Sequence, residues 1–192
     1  MYIGSVRFFK HLIILVIALV IIVPLTIVIL SFTGGDRDLR GWSTHQLGQI
    51  TTPVPSAEVS EAMVVEGDVE ITSFSSSTPD ANVLVERFVD FILHLRSQEV
   101  SEDLIETVVL RGAARSVVND IVGGGGELFG ERMGEFGEIL YFSMYGMTNV
   151  ADESFDVRVF LHDTDFYLIT LTWNSEIGDI GEQFFRNVQF AE

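Results

Sequence analysis

His162, Asp163 and Asp165 place one imidazole and two carboxylates within four residues, a donor set that can hold a divalent cation. The same segment, His162-Asp163-Thr164-Asp165, also has the composition of a tight polar turn, in which Asp and Thr serve backbone geometry alone. These three residues are the metal-site candidates that the sequence offers. His94 falls near the end of an expected helix, where a cation suits the helix dipole, and His45 and His11 have no neighbours that suggest catalysis.

Three other patterns were weighed for chemistry. Gly123 to Gly126, with Gly130, Gly134 and Gly137, invite a phosphate-loop reading, but no Gly-Lys-Ser/Thr ending follows. The run also comes after a helix instead of a strand, and Glu127, Glu131, Glu135 and Glu138 would repel phosphate; a flexible loop is expected. Ser73, Ser75, Ser76 and Ser77 read as a serine-rich loop without the G-x-S-x-G context of a nucleophile elbow. A glycosidase pair among 28 acids has no sequence signature of its own. No catalytic residue and no cofactor site is therefore assigned, and the absence of cysteine removes thiol chemistry and disulfides together.

The elements that must position these residues follow from periodicity. Short strands are expected at Met63-Val64-Val65 and at residues 69–74, about the turn Glu66-Gly67-Asp68. Thr78, Pro79 and Asp80 look like a helix start, with Leu84, Phe88, Phe91, Ile92 and Leu95 as its apolar face. A second helix runs from Ser101 to about Ile121, closed by the glycine run. Residues 139–144 form a strand, and residues 155–161 and 166–173 form a hairpin about the His162–Asp165 segment. Asp179 and Glu182 suggest a capping box opening a short helix, and Val188-Gln189-Phe190 a last strand.

Residues 12–30 are nineteen consecutive uncharged residues, almost all Leu, Ile or Val. At about 1.5 Å per residue they suffice to cross a hydrocarbon core of about 30 Å. A cleavable signal peptide has a shorter core and a small-residue cleavage site, and Ser31-Phe32-Thr33-Gly34-Gly35 has no A-x-A pattern. The expected organisation is a cytoplasmic tail over 1–11, a transmembrane anchor over 12–32, a Pro-containing spacer over 33–62 and an acidic extracytoplasmic domain over 63–192. Arg7 and Lys10 before the anchor tie with Arg37 and Arg40 after it; the short basic tail favours an inside amino terminus. Trp42 could rest at the bilayer interface or make a plain linker contact. The fold class is α+β: an amino-terminal transmembrane helix, a spacer, then an antiparallel sheet packed with two main helices.

The chain carries a formal charge of −17, and residues 33–192 hold 28 acids against nine arginines, a formal −19. Such a domain repels nucleic acid and anionic headgroups.

The stretch from about Glu127 to Phe190 resembles the closing part of PsbP/DcrB-type α/β sandwich domains. The residues that carry the resemblance are 155–161, Phe166-Tyr167-Leu168-Ile169-Thr170-Leu171-Thr172, and Glu182-Gln183-Phe184-Phe185-Arg186-Asn187-Val188-Gln189-Phe190. It implies a small non-catalytic extracytoplasmic module that assists a membrane complex. The function expected is a single-pass, membrane-anchored binding or accessory protein with a protein partner in the membrane or envelope; the alternative is a membrane-tethered envelope hydrolase.

Overall fold

Side-chain burial alternates from Ala81 to Val85, but from Phe155 to Phe160 every residue is buried. The computed structural model describes residues 39, 41–123, 125–175 and 180–191; the anchor expected over 12–32 lies outside them. Among the described residues no helix is long and apolar enough to cross a membrane. One unit, Gly41–Glu192, holds all the elements that follow. In chain order these are β1 (Ser43–Leu47), β2 (Ile50–Val54), β3 (Ser60–Glu66), β4 (Val69–Ser77), β5 (Ala81–Val89) and α1 (Phe91–Ser97). Helix α2 follows as Glu102–Leu104, a π-helical segment Ile105–Val109, and Leu110–Val122. Then come β6 (Glu127–Phe136), β7 (Ile139–Met147), β8 (Glu153–His162), β9 (Asp165–Asn174), α3 (Gly181–Arg186) and β10 (Gln189–Phe190).

Seven strands pair antiparallel in the order β3-β4-β5-β9-β8-β7-β6, and β1-β2-β10 form a separate small sheet. The protein is thus an α+β fold with antiparallel sheets and few helices. On one face of the large sheet, Leu110, Ala114 and Val118 of α2 recur every fourth residue and pack on Phe142, Met144, Val157, Val159 and Leu168. On the other face, Ile50 and Val54 of the small sheet, Phe184 and Phe185 of α3, and Val188 pack on Val83, Val85, Phe160, Tyr167, Ile169 and Leu171. Strand β8 is buried on both faces from Phe155 to Phe160, with the charged Asp156 and Arg158 inside the buried stretch.

The hairpin of β8 and β9, the strands β3, β4 and β7, helix α2 and the short pair α3–β10 stand where the sequence places them. In the β8–β9 turn Asp163 takes a left-handed φ of 55°. Ser101 ends α2 through its carbonyl, which accepts from the amides of Leu104 and Ile105, and its side chain makes no capping bond. Helix α3 is flanked by Ile180 without a side-chain cap, and Asp179 lies outside the described residues.

Four expectations are overturned. Residues from Ser43 onward in the expected spacer form β1, β2 and the start of β3. Ile50, Thr52 and Val54 are core residues of β2, and Pro53 is accommodated because β10 pairs only with Ile50 and Thr51, leaving the strand edge open at the proline. Trp42 packs edge-on against Phe184, ring centroids 6.1 Å apart, as part of the domain core.

The helix expected from Thr78 is strand β5. Thr78 closes a turn by donating its amide and its hydroxyl to the carbonyl of Ala81, and Ala81, Val83 and Val85 then alternate inward. Helix begins only after Asp90, so the first expected helix is reduced to the short α1, whose Phe91 packs on the same cluster as α2, and the opposite face is covered by the small sheet. The serine-rich loop is strand β4, in which Ser76 is buried and bonds the amide and carbonyl of Ser56 at 3.2 Å each.

The glycine-rich loop beyond Gly126 is strand β6. Gly130 and Gly134 stand directly opposite Tyr145 and Tyr141 in the register. A Cβ at either position would lie 2.8 or 2.7 Å from atoms of the facing tyrosine, so glycine lets each ring lie flat across the edge strand. Replacing Gly134 by Val is expected to displace Tyr141 and cost about 1–3 kcal/mol, measured by urea unfolding, with Gly137→Ala at an open but positive-φ turn as a comparison of a different kind.

Candidate functional site

Register places a polar row inside the face that otherwise forms the small-sheet core. Arg132, Ser143 and Arg158 stand opposite one another across β6, β7 and β8, and Tyr145 opposes Asp156 in the next row. Asp156 and Arg158 are two residues apart on one strand and so share a face. Helix α3 brings Glu182 over them. Together with Phe129, Ser154, Trp173 and Ser175 they line a cleft of about 730 Å³.

The floor is an ion pair withdrawn from solvent. Arg158 donates Nη2 to Asp156 Oδ2 at 2.9 Å and its Nε to both carboxylate oxygens at 3.3 Å. Its guanidinium carbon sits 3.9 Å over the Phe185 ring and 5.4 Å from that of Tyr141, so the cation is held between aromatic faces. Glu182 Oε1 accepts from Arg158 Nη2 at 3.4 Å and from Arg132 Nη2 at 3.1 Å, bridging the floor to the rim. Glu131, on the strand that forms the outer wall, is held by Arg111 and Arg115 of α2 at 3.0 and 3.1 Å. Every carboxylate residue lining this cleft is thus bound to at least one guanidinium.

Burial pushes the Asp156 carboxyl above its ordinary range, against the hydrogen bonds and charge of Arg158 that pull it down. Glu86, half-buried on the opposite face of β5, is raised by burial alone.

No family model and no curated protein matches the chain. Among solved structures it is similar to that of the cyanobacterial PsbP of Synechocystis sp. PCC 6803, with a TM-score of 0.49 and 12% identity, covering 78% of this chain and 92% of that one. It is also similar to PA94 of Pseudomonas aeruginosa, a protein described as of unknown function. There the TM-score is 0.39 and the identity 13%, with 76% of this chain and 91% of that one covered. At these values nothing about ligand or activity passes to this chain.

The residues singled out from sequence lie elsewhere. Asp165 is buried and committed to Arg87, whose Nε approaches its Oδ2 at 2.6 Å, while its Oδ1 accepts the Asp90 amide at 2.9 Å. Tyr167 adds a hydroxyl at 3.4 Å from the same carboxylate. Asp163 forms the turn, and the His162 ring packs edge-on against Phe190 at 5.0 Å. The three do not converge, and among the described residues no group of three His, Asp or Glu side chains is placed to hold a metal. His94 lies in the last turn of α1, and His45 contacts Glu61 at 3.0 Å beside Phe74.

Sequence reasoning missed the cleft. Its one legible signal was Asp156 and Arg158, two opposite charges at i and i+2 inside an apolar strand, which require a shared partner on one face. Glu182 was read as a cap, and nothing near Arg132 or Tyr145 in sequence announces their role.

Two measurements check this description. Asp156→Ala is expected to destabilise the fold by about 3–5 kcal/mol, because it strands a buried guanidinium, whereas Asp156→Leu with Arg158→Met recovers most of that loss. For the raised carboxyls, the folded state binds the protons more tightly than the unfolded chain. Stability from these groups therefore grows as pH falls through their folded pKa values, and levels off below the ordinary carboxylate range. Glu86→Gln should accordingly flatten the rise in melting temperature as pH falls toward the ordinary carboxylate range; an unchanged slope would refute the assignment.

Proposed function

We propose that the chain is a single-pass membrane protein whose acidic α+β domain stands outside the cytoplasm and binds a protein partner as an accessory module. The observation that supports binding over catalysis is the state of the cleft's carboxylates. Asp156, Glu182 and Glu131 are each engaged by arginine, so none is poised as a free base or nucleophile. The cleft offers instead exposed Phe129 and Tyr145 beside the half-exposed Arg132, a pairing of aromatic and guanidinium groups that suits protein recognition. The anchor over 12–32 and the formal −19 of the residues after it support the membrane setting and argue against a nucleic-acid partner.

A tethered hydrolase has one observation in its favour, the protonation-prone Asp156 at the cleft floor. Release of soluble fragments from envelope material by the purified chain, lost on Asp156→Asn, would replace the binding reading with the enzymatic one.

The absence of cysteine permits a clean topology test. Val150→Cys, at a position 58% exposed, is expected to react with a membrane-impermeant maleimide in intact cells. Labelling only after lysis would place the domain inside. A photoreactive residue at Tyr145 should give one discrete cross-linked adduct that the same residue at Leu93 does not give; adducts at both or neither would remove the cleft from partner binding.

A further inference from the structure

We propose that two copies of this chain join through β3, their edge strands pairing antiparallel about a two-fold axis at Met63. The two edges of the large sheet are built differently. At the β6 edge the strand carries a bulge between Leu128 and Gly130, two glycines, and glutamates at 127, 131 and 135. Bulges and charges of this kind discourage pairing with another strand. At the other edge β3 pairs with β4 in unbroken register through all seven residues, with no proline, no lysine and no bulge. Met63, Val64 and Val65 at its centre are 65%, 58% and 66% exposed, so apolar side chains project on both faces of an open edge. Glu61 and Glu66 flank this apolar centre, and an open edge with such a centre is a pairing template that folded proteins cover.

The strand is complementary to itself. A two-fold axis normal to the sheet pairs residues whose numbers sum to a constant even value, since opposed residues must point to the same side. The axis at Met63 pairs the whole strand: Met63 with Met63, Ala62 with Val64, Glu61 with Val65, and Ser60 with Glu66. Within Ser60–Glu66 no acid opposes an acid, and Met63 and Val65 of both copies form one apolar strip. Shifting the axis to Ala62 or to Val64 pairs only five of the seven residues of β3. Glu61 is moreover held by His45 on its own chain. Pairing β3 to β6 instead would be head-to-tail and open-ended, and would bring the strand against the bulged, acidic edge.

Cysteine substitution in the full chain, in detergent and in membranes, reads the register directly. Met63→Cys is expected to give a covalent dimer with a short bifunctional thiol reagent, because Cβ atoms of directly opposed residues lie about 4.5–5.5 Å apart. Val65→Cys alone should not, since its two copies would be offset by four residues, about 13 Å along the strands. A mixture of Glu61→Cys and Val65→Cys chains should cross-link again. Val64→Lys should convert the dimer to monomer in sedimentation equilibrium, with the unfolding temperature showing that the domain stays folded. Three results each overturn the proposal: no dimer at Met63→Cys, equal yields at 63, 65 and a Met133→Cys control on β6, or an adduct of foreign mass at position 63. The last would assign the edge to another protein.

Discussion

The centre of the large sheet is covered on both faces, and the other features of the domain follow from that constraint. Strands β8 and β9 have helix α2 against one side and the small sheet with α3 against the other. Each charged residue there, of either parity, must bring its partner. Burying an isolated charge costs several kcal/mol, so charges in this layer occur as bonded pairs. Asp156 with Arg158, and Asp165 with Arg87, are the two instances, and both carboxylates take arginine Nε donors. Arg158 has further support from the Phe185 and Tyr141 rings, which replace water around the guanidinium with polarisable faces.

The cleft arises where that second layer stops. Over Val85, Ile169 and Phe160 the cover is complete; over Ser143, Tyr145 and Asp156 the edge of α3 reaches across through Glu182. The polar row therefore lies at the boundary between dry core and solvent. One end of the chain of ion pairs, Asp156–Arg158, is buried, and the other, Glu182–Arg132, is half-exposed. Such a gradient makes the rim adjustable and the floor rigid, which suits recognition of a partner better than proton transfer.

The sheet's two margins carry the same contrast between closure and openness. Gly130 and Gly134 let Tyr145 and Tyr141 fold over β6, so the bulged, acidic edge is also roofed by aromatic rings. Among the described residues nothing roofs strand β3, and its side chains are exposed on both faces. In the dimer it would become an interior strand of one continuous sheet, and its row of unpaired amides and carbonyls would be satisfied by the second copy.

Much of this was readable from local chemistry. The β8–β9 hairpin, helix α2 and the close of α3 and β10 have patterns dominated by their own residues: a four-residue polar break between apolar runs, apolar positions every third and fourth residue, and a glycine stop. The misread segments are those whose burial is set by distant elements. Leu84, Phe88 and Phe91 have helical spacing, yet Ala81, Val83 and Val85 form the inward row because β9 pairs alongside and the small sheet lies above. Gly130 and Gly134 look like a loop until Tyr145 and Tyr141 in β7, 15 and 7 residues away, cross them. The metal candidates dispersed for a related reason: adjacency in a turn does not bring side chains together, and Arg87, from β5, claimed Asp165. Sequence thus settled composition, the apolar run, the hairpin and the helix, since these depend on neighbours within a few residues. The cleft joins four strands and a helix spread over residues 129–182, and which charges share it follows from register and layer coverage, which long-range pairing alone sets.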